Sequence, residues 1–208
     1  MTIMKVSIEI IIGAFVSFVS AIIGALVGGY MSRKASLEAT EQAHKNTIEL
    51  QEKERKQTIK SLLRAIFDEI TTLWERYMWS IGEELEKLPK GKPLLLYYPI
   101  TQEYFTIYNS NASLIGSIQD SYLRSYIVKT YYKAKSLIDS YRMNNDYLRI
   151  YENYEMLGMQ TQNHFFQFQA AVYLNLMGQY VEKIKKTHYE IKEDVSKLLR
   201  LIEKEINP

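Results

Sequence analysis

Residues 10–31 read IIIGAFVSFVSAIIGALVGGYM, without one charged side chain. At a rise of about 1.5 Å per residue, a helix of this length reaches roughly 33 Å, matching a hydrocarbon core of about 30 Å. A core helix of a soluble domain keeps a polar face, and this run has none. Lys5 and Glu9 precede it; Tyr30, Arg33 and Lys34 close it, as an interfacial aromatic followed by anchoring cations. The competing reading is a cleaved signal peptide. Against it, the apolar run is longer than a usual signal core, Lys5 is the only basic side chain ahead of it and no A-x-A site follows. A retained transmembrane anchor over residues 1–34 is the expectation.

Arg33, Lys34 and Lys45 follow the span, whereas only Lys5 and the amino terminus precede it. The positive-inside rule then predicts an inner-membrane protein with a short outer tail and a cytoplasmic body. Within the span Gly13, Ser17, Ala21, Ala25 and Gly29 recur every four positions, and Ser20, Gly24 and Gly28 form a second row beside them. Helices in lipid associate by close packing, so two small-residue rows predict a homo-oligomer held through this helix. Small residues are common in membrane helices, and the GxxxG of Gly24 and Gly28 alone is a weak signal.

The rest of the 208 residues is ordinary for a chain that folds: 47% hydrophobic and 24% charged. No cysteine is present, which excludes disulfide frameworks, thiol catalysis and Cys-ligated metals. A net charge of +2 is too near neutral for a protein that coats nucleic acid.

Residues 35–61 read as a charged stalk helix, with Lys34–Glu38, Glu41–Lys45, Glu49–Lys53 and Glu52–Lys56 at (i, i+4) spacing. Leu37, Ile48, Ile59 and Ile70 fall eleven apart, a stripe too thin for a strong coiled coil. Loose pairing with copies of itself and a free-standing charged helix both fit. From residue 62 to 208 the expectation is an all-α antiparallel helical bundle. Leu62, Leu63, Ile66, Ile70, Leu73, Trp74, Tyr77, Met78, Ile81, Leu85 and Leu88 form the first apolar face, which stops at Pro89-Lys90-Gly91-Lys92-Pro93. LLLYY at 94–98 is the one strand-like run, and it has no evident partner. Thr101 reads as a cap for a short helix, and Asp120 or Ser121 for a long one carrying Leu123, Ile127, Tyr131, Ala134, Leu137, Ile138 and Tyr141. Met143-Asn144-Asn145-Asp146 is expected to interrupt that helix. The last helix opens near Gln162 with Phe165, Phe168, Val172, Leu176, Tyr180 and Ile184 on its apolar side. A break near Thr187-His188 precedes Ile191, Val195, Leu198, Ile202 and Ile206.

Chemistry-bearing patterns are sparse. His44, His164 and His188 share no metal-ligand spacing, so no metal and no cofactor is expected. No phosphate loop or nucleophile elbow occurs. Asp68, Glu69, Glu83, Glu84 and Asp139 are candidate carboxylates that two helices could bring together for hydrolysis; a solvated face is the plainer account, and no catalytic residue is assigned. Tyrosine is abundant, 17 against 7 phenylalanines. Such rings suit a thin bundle, buried at one end with the hydroxyl reaching water or a helix carbonyl. Alternatively some form a recognition surface; Tyr126, Lys129, Tyr132 and Lys133 are the candidates for a protein partner. Basic side chains among the rings keep nucleic acid as a minority alternative.

The stretch from Ile100 through Asp139 resembles a segment of uncharacterised bacterial membrane-anchored proteins, on Tyr108, Asn111, Ile115, Gly116, Ile118, Leu123, Ile127, Val128 and Tyr131. It implies no catalytic residues; Gly116 would allow a tight bend that docks a short helix onto a long one. The whole plan of tail, span, stalk and helical body is also similar to membrane effectors of phage-defence systems such as retrons, an analogy of architecture. The function expected is non-enzymatic: self-association, with a body that binds a protein partner or senses a signal. The alternative is a membrane-depolarising or pore-forming toxin acting through clustered spans.

Overall fold

The computed structural model describes residues 2–100 and 103–207, with side chains from residue 8 onward. The expected cap Thr101 and the side chain of Lys5 lie outside the described residues. The chain divides into two compact units, residues 1–56 and 57–208. Its elements are α1 (Thr2–Tyr77), a π-turn (Met78–Gly82), α2 (Glu83–Lys87), α3 (Thr106–Ser110), α4 (Ala112–Gly116), α5 (Ser121–Thr161) and α6 (His164–Ile206). Among the described residues there is no strand.

The first unit is α1 alone. Every described side chain in it is exposed, including Phe15 at 67% and Leu26 at 68%. The helix is long and apolar enough to cross a membrane, and none of its apolar window is buried. Ser17 turns its hydroxyl back to the Gly13 carbonyl at 2.8 Å, so no polar group on that row is left bare. A Cβ placed at Gly13, Gly24, Gly28 or Gly29 would meet nothing within 4 Å. Beyond the apolar run, Lys34–Glu38 and Glu41–Lys45 close to 4.0 and 2.9 Å. Exposed pairs of this kind contribute only about 0.3–0.5 kcal/mol each.

The second unit is built on the pairing of α5 with α6. They run antiparallel: Tyr126 meets Asp194, Lys133 meets Glu190, Tyr147 meets Tyr180 and Tyr154 meets Phe166. The C-terminal part of α1 supplies the third side of the core through Leu62, Leu63, Ile66, Ile70 and Tyr77. Ile127, Tyr131, Ile184, Leu198 and Ile202 are fully buried against it. Asp120 caps α5 by accepting from Tyr122 N and Leu123 N, which satisfies two of the helix's free donors.

Several expectations are corrected. α5 runs unbroken through Met143–Asp146, and α6 through Thr187-His188. Gly116 ends a short helix with an ordinary negative-φ backbone, so the chain does not need glycine to bend there. Phe165, Phe168 and Leu176 are 57%, 65% and 41% exposed; the buried face of this part of α6 is Ala170, Met177 and Val181 instead.

The LLLYY run is extended without being a strand because α5 pairs with its backbone. Asn145 accepts from Tyr98 N at 3.1 Å and donates to Tyr98 O at 2.8 Å, while Asn144 donates to Leu94 O at 3.2 Å. The helix therefore mimics one rung of a ladder with side-chain amides. These asparagines read as a loop in the sequence, yet their amides look outward from an intact helix. The same strap, residues 88–100, crosses α6 where Gly91 N donates to Glu182 and Lys185 donates to Leu88 O. Gly91 there has φ +73, a conformation that favours glycine.

The crossing needs a second glycine. A Cβ on Gly178 would collide with the Gly91 carbonyl oxygen, which is backbone and cannot swing aside. Gly178→Ala is accordingly expected to cost about 2 kcal/mol in urea unfolding despite alanine's better helix propensity. An unchanged or raised midpoint would mean that the strap yields freely.

Candidate functional site

The second unit carries a chain of hydrogen bonds through its apolar interior, assembled from four elements. Tyr77 ends α1, Glu86 lies on α2 beyond the π-turn, Tyr141 on α5, and His188 and Lys192 on α6. Tyr77 Oη lies 3.0 Å from Tyr141 Oη and 2.8 Å from His188 Nδ1. On the far side of the ring, His188 Nε2 lies 2.9 Å from Glu86 Oε1, which also accepts from Lys192 Nζ at 2.7 Å. His188 and Tyr141 are wholly buried, and Trp74 stacks on the imidazole at 5.8 Å. Glu86 and Lys192 form the edge of the chain that reaches water.

The order of donors follows from the acceptors. A carboxylate only accepts, so His188 Nε2 carries the hydrogen that Glu86 receives. In the neutral ring Nδ1 then accepts from Tyr77, whose oxygen accepts from Tyr141. Burial pushes the His188 pKa below its ordinary value, against the opposing pull of Glu86. The hydrogen bonds from Lys192 and His188 hold the Glu86 carboxyl below the usual range. Burial raises both tyrosine hydroxyls well above theirs, so they stay neutral. Protonating His188 would turn Nδ1 into a donor and reverse every bond up to Tyr141. The arrangement can therefore register a proton at α6 as a change in contacts to α1 and α5.

The π-turn places this chain. Glu83 N bonds Met78 O, five residues back, which widens the helix by one residue at Met78–Gly82. Gly82 fits under the Met78 sulfur and the Tyr77 ring, where a Cβ would press on both. Beside the network lies an apolar cavity of about 70 Å³ walled by Leu73, Trp74, Tyr77, Tyr98, Phe105 and Leu137. Burial brings the Tyr98 hydroxyl up to about 12.

Two further polar anchors fix the helices. Glu69 on α1 accepts from Ile107 N at 2.7 Å, Tyr108 N at 3.2 Å and Tyr131 Oη at 2.6 Å. A carboxylate from another helix thus caps the start of α3. Asp194 on α6 accepts from Tyr126 Oη at 2.6 Å and pairs with Lys133 at 2.7 Å and Lys129 at 3.9 Å. Its carboxyl is held below the usual range by Lys133, Tyr126 and Lys129, which outweigh its burial.

These contacts decide where the residues singled out in the sequence go. Tyr126 is buried and Lys133 is tied to Glu190 and Asp194, so both serve the α5–α6 seam. Lys129 stays exposed beside Asp194, and Tyr132 is 73% exposed. The carboxylates do not converge: Glu69 caps α3, Asp139 pairs with Arg142, and Glu83 and Glu84 pair with Lys87. Asp68, His44 and His164 face solvent. Among the described residues no group of His, Cys, Asp and Glu is set to hold a metal ion. Tyrosine hydroxyls reach carboxylates more than helix carbonyls, as at Glu69, Asp194 and Glu152. Metal-ligand spacing does not point to His188; its signal is a lone imidazole on the Val181, Ile184, Ile191, Val195 face, where a buried polar ring needs partners. No family model, no curated protein and no solved structure matches the chain.

Proposed function

We propose that the chain is a single-pass inner-membrane protein whose span, residues 1–34, self-associates through Gly13, Ser17, Ala21, Gly24, Ala25, Gly28 and Gly29. Residues 35–61 form the charged stalk that follows it, and residues 62–208 a cytoplasmic helical bundle that binds a protein partner or senses a signal. The role is non-enzymatic and belongs with the membrane effectors of bacterial phage defence that the layout resembles. The observation that carries this reading is the charge-free, fully exposed stretch of α1 with open space at all of its glycines. A helix so apolar and so bare has no cover in water, and small residues let a second backbone approach closely.

Ultracentrifugation of cell lysate without detergent is expected to leave the intact chain with the membranes; recovery in the supernatant would end this reading. In membranes, the triple change Ala21→Leu, Gly24→Leu, Gly28→Leu is expected to weaken self-association at least about tenfold, equivalent to ~1.4 kcal/mol, by energy transfer between labelled copies. Unchanged transfer would place the contact elsewhere. Membrane depolarisation on induction, lost in the same triple variant, would favour the toxin reading over a partner-binding one.

A further inference from the structure

Side chains in a protein core interdigitate almost without voids, because an unfilled gap forfeits dispersion contacts. The cavity of about 70 Å³ between α1, α5 and α6 departs from that rule. Its inner wall is buried, with Thr130 and Leu137 on α5 and Ile191 and Val195 on α6. Its outer wall is not: Ile138 and Tyr104 are half-buried and Arg76 is exposed, so the cavity meets water beside Arg76. Thr130 already donates its hydroxyl to the Tyr126 carbonyl at 2.9 Å. Water needs two to four polar partners to stay in such a space, and this inner wall does not supply them. An apolar group fits it. A cavity of about 150 Å³ holds benzene, so half that space suits a branched alkyl end of roughly three carbons.

Arg76 says what the alkyl end is attached to. Arg142 and Arg149 pair with Asp139 and Asp146, whereas Arg76 has neither ion pair nor hydrogen bond among the described residues. A cation in the last turn of a helix usually serves the free carbonyls there. Arg76 has no such task, since the backbone stays helical from Tyr77 through the π-turn into α2. Its guanidinium is near enough to the Tyr98 hydroxyl to oppose the rise that burial causes, which puts the charge beside the cavity. A planar fork of donors matches a carboxylate. We propose that the cavity binds a short-chain aliphatic carboxylate, with its alkyl end against Leu137, Ile191 and Val195 and its charge on Arg76. Trp74 and Tyr77 line the cavity and also touch His188, so an occupant presses on the hydrogen-bond chain that joins α1 to α5 and α6. This ligand is a signal for the body to sense, and to that extent it rests on the sensing role proposed above.

The chain has two tryptophans, Trp74 in the cavity wall and Trp79 at 86% exposure, so Trp79→Phe leaves one reporter at the site. Full-length Trp79→Phe protein in phosphatidylcholine vesicles is titrated with isovalerate, isovaleramide and benzoate while Trp74 emission is followed. Isovalerate is expected to give a saturable change with a midpoint of about 1 mM or below. The amide should bind at least about tenfold more weakly, and Arg76→Gln should weaken isovalerate by a similar factor. Benzoate, whose ring needs about twice the room, should also lose at least tenfold. Ala134→Leu fills the cavity from α5 and should abolish the response; Ala134→Val is the milder filling, with circular dichroism as the check on folding. No saturable change well above the expected range, or a response that survives filling, would overturn the site. Equal binding of acid and amide, unmoved by Arg76→Gln, would overturn the carboxylate, and equal binding of benzoate would overturn the aliphatic class. The same titrations run on protein that stays in solution. A chain that never enters vesicles would thus end the membrane reading alone, and a silent Trp74 in membrane-bound protein would end this one alone.

Discussion

Glu69→Ala is expected to destabilise the helical unit by about 3 kcal/mol, the largest effect of any half-buried carboxylate in it. Three donors lose their acceptor at once. The amides of Ile107 and Tyr108 return to the position of an uncapped helix start, and the wholly buried Tyr131 hydroxyl is left without a partner. Glu69→Gln keeps one acceptor oxygen and should cost roughly a third as much. Adding Tyr131→Phe to the alanine variant removes the orphaned hydroxyl and should recover about 1 kcal/mol, a non-additivity that urea titrations of the four proteins measure. Strict additivity would mean that Glu69 acts on α3 alone.

His188→Ala is expected to cost about 4 kcal/mol, since it removes a fully buried ring and leaves the Tyr77 hydroxyl proton without its acceptor. The native histidine should also make the unit acid-sensitive. Its folded pKa lies below 6.5 because burial disfavours the charged ring, so the unfolded chain takes up the proton first as pH falls. Stability is full above 6.5 and declines as pH drops from there towards the folded value. Tyr77 faces the ring as a neutral group, with Tyr141 behind it, and Lys192 opposes its charge from α6. Glu86 favours the charged ring, and its own depressed pKa confines its loss of stabilisation to pH below 4.5. Urea midpoints at pH 7.5 and 5.5 should therefore differ for the native protein and coincide for His188→Leu, which keeps much of the volume without the proton. A native midpoint insensitive to this interval would show that Glu86 offsets the burial completely.

How far the residues announced these features depends on whether the evidence is local. The charge-free run at 10–31, the apolar face from Leu62 to Leu85 and the Asp120 cap are written in neighbouring residues, and each is where the pattern puts it. The breaks expected at Asn144-Asn145 and Thr187-His188 were misleading for one reason. A polar residue inside a helix looks like a loop unless its distant partner is known, and those partners, the 94–98 strap and Tyr77 with Glu86, lie far away in the chain. Phe165 and Phe168 show the converse: an apolar pattern along a helix does not by itself place a residue in the core. The meeting of Lys133 and Tyr126 at Asp194 was equally hidden, because Asp194 is remote in sequence.

The π-turn at Met78–Gly82 gives chain length there a meaning that composition lacks. The wide turn holds one residue more than ordinary winding does, so deleting one of its five residues would restore i-to-i+4 bonds and leave the downstream faces close to where they are. Leu85 would stay in the interior and Glu86 within reach of His188, whereas the same deletion in the regular part of α1 would swing them through about 100°. Relatives of this protein should hence tolerate a one-residue gap at these five places more readily than in the turns before them.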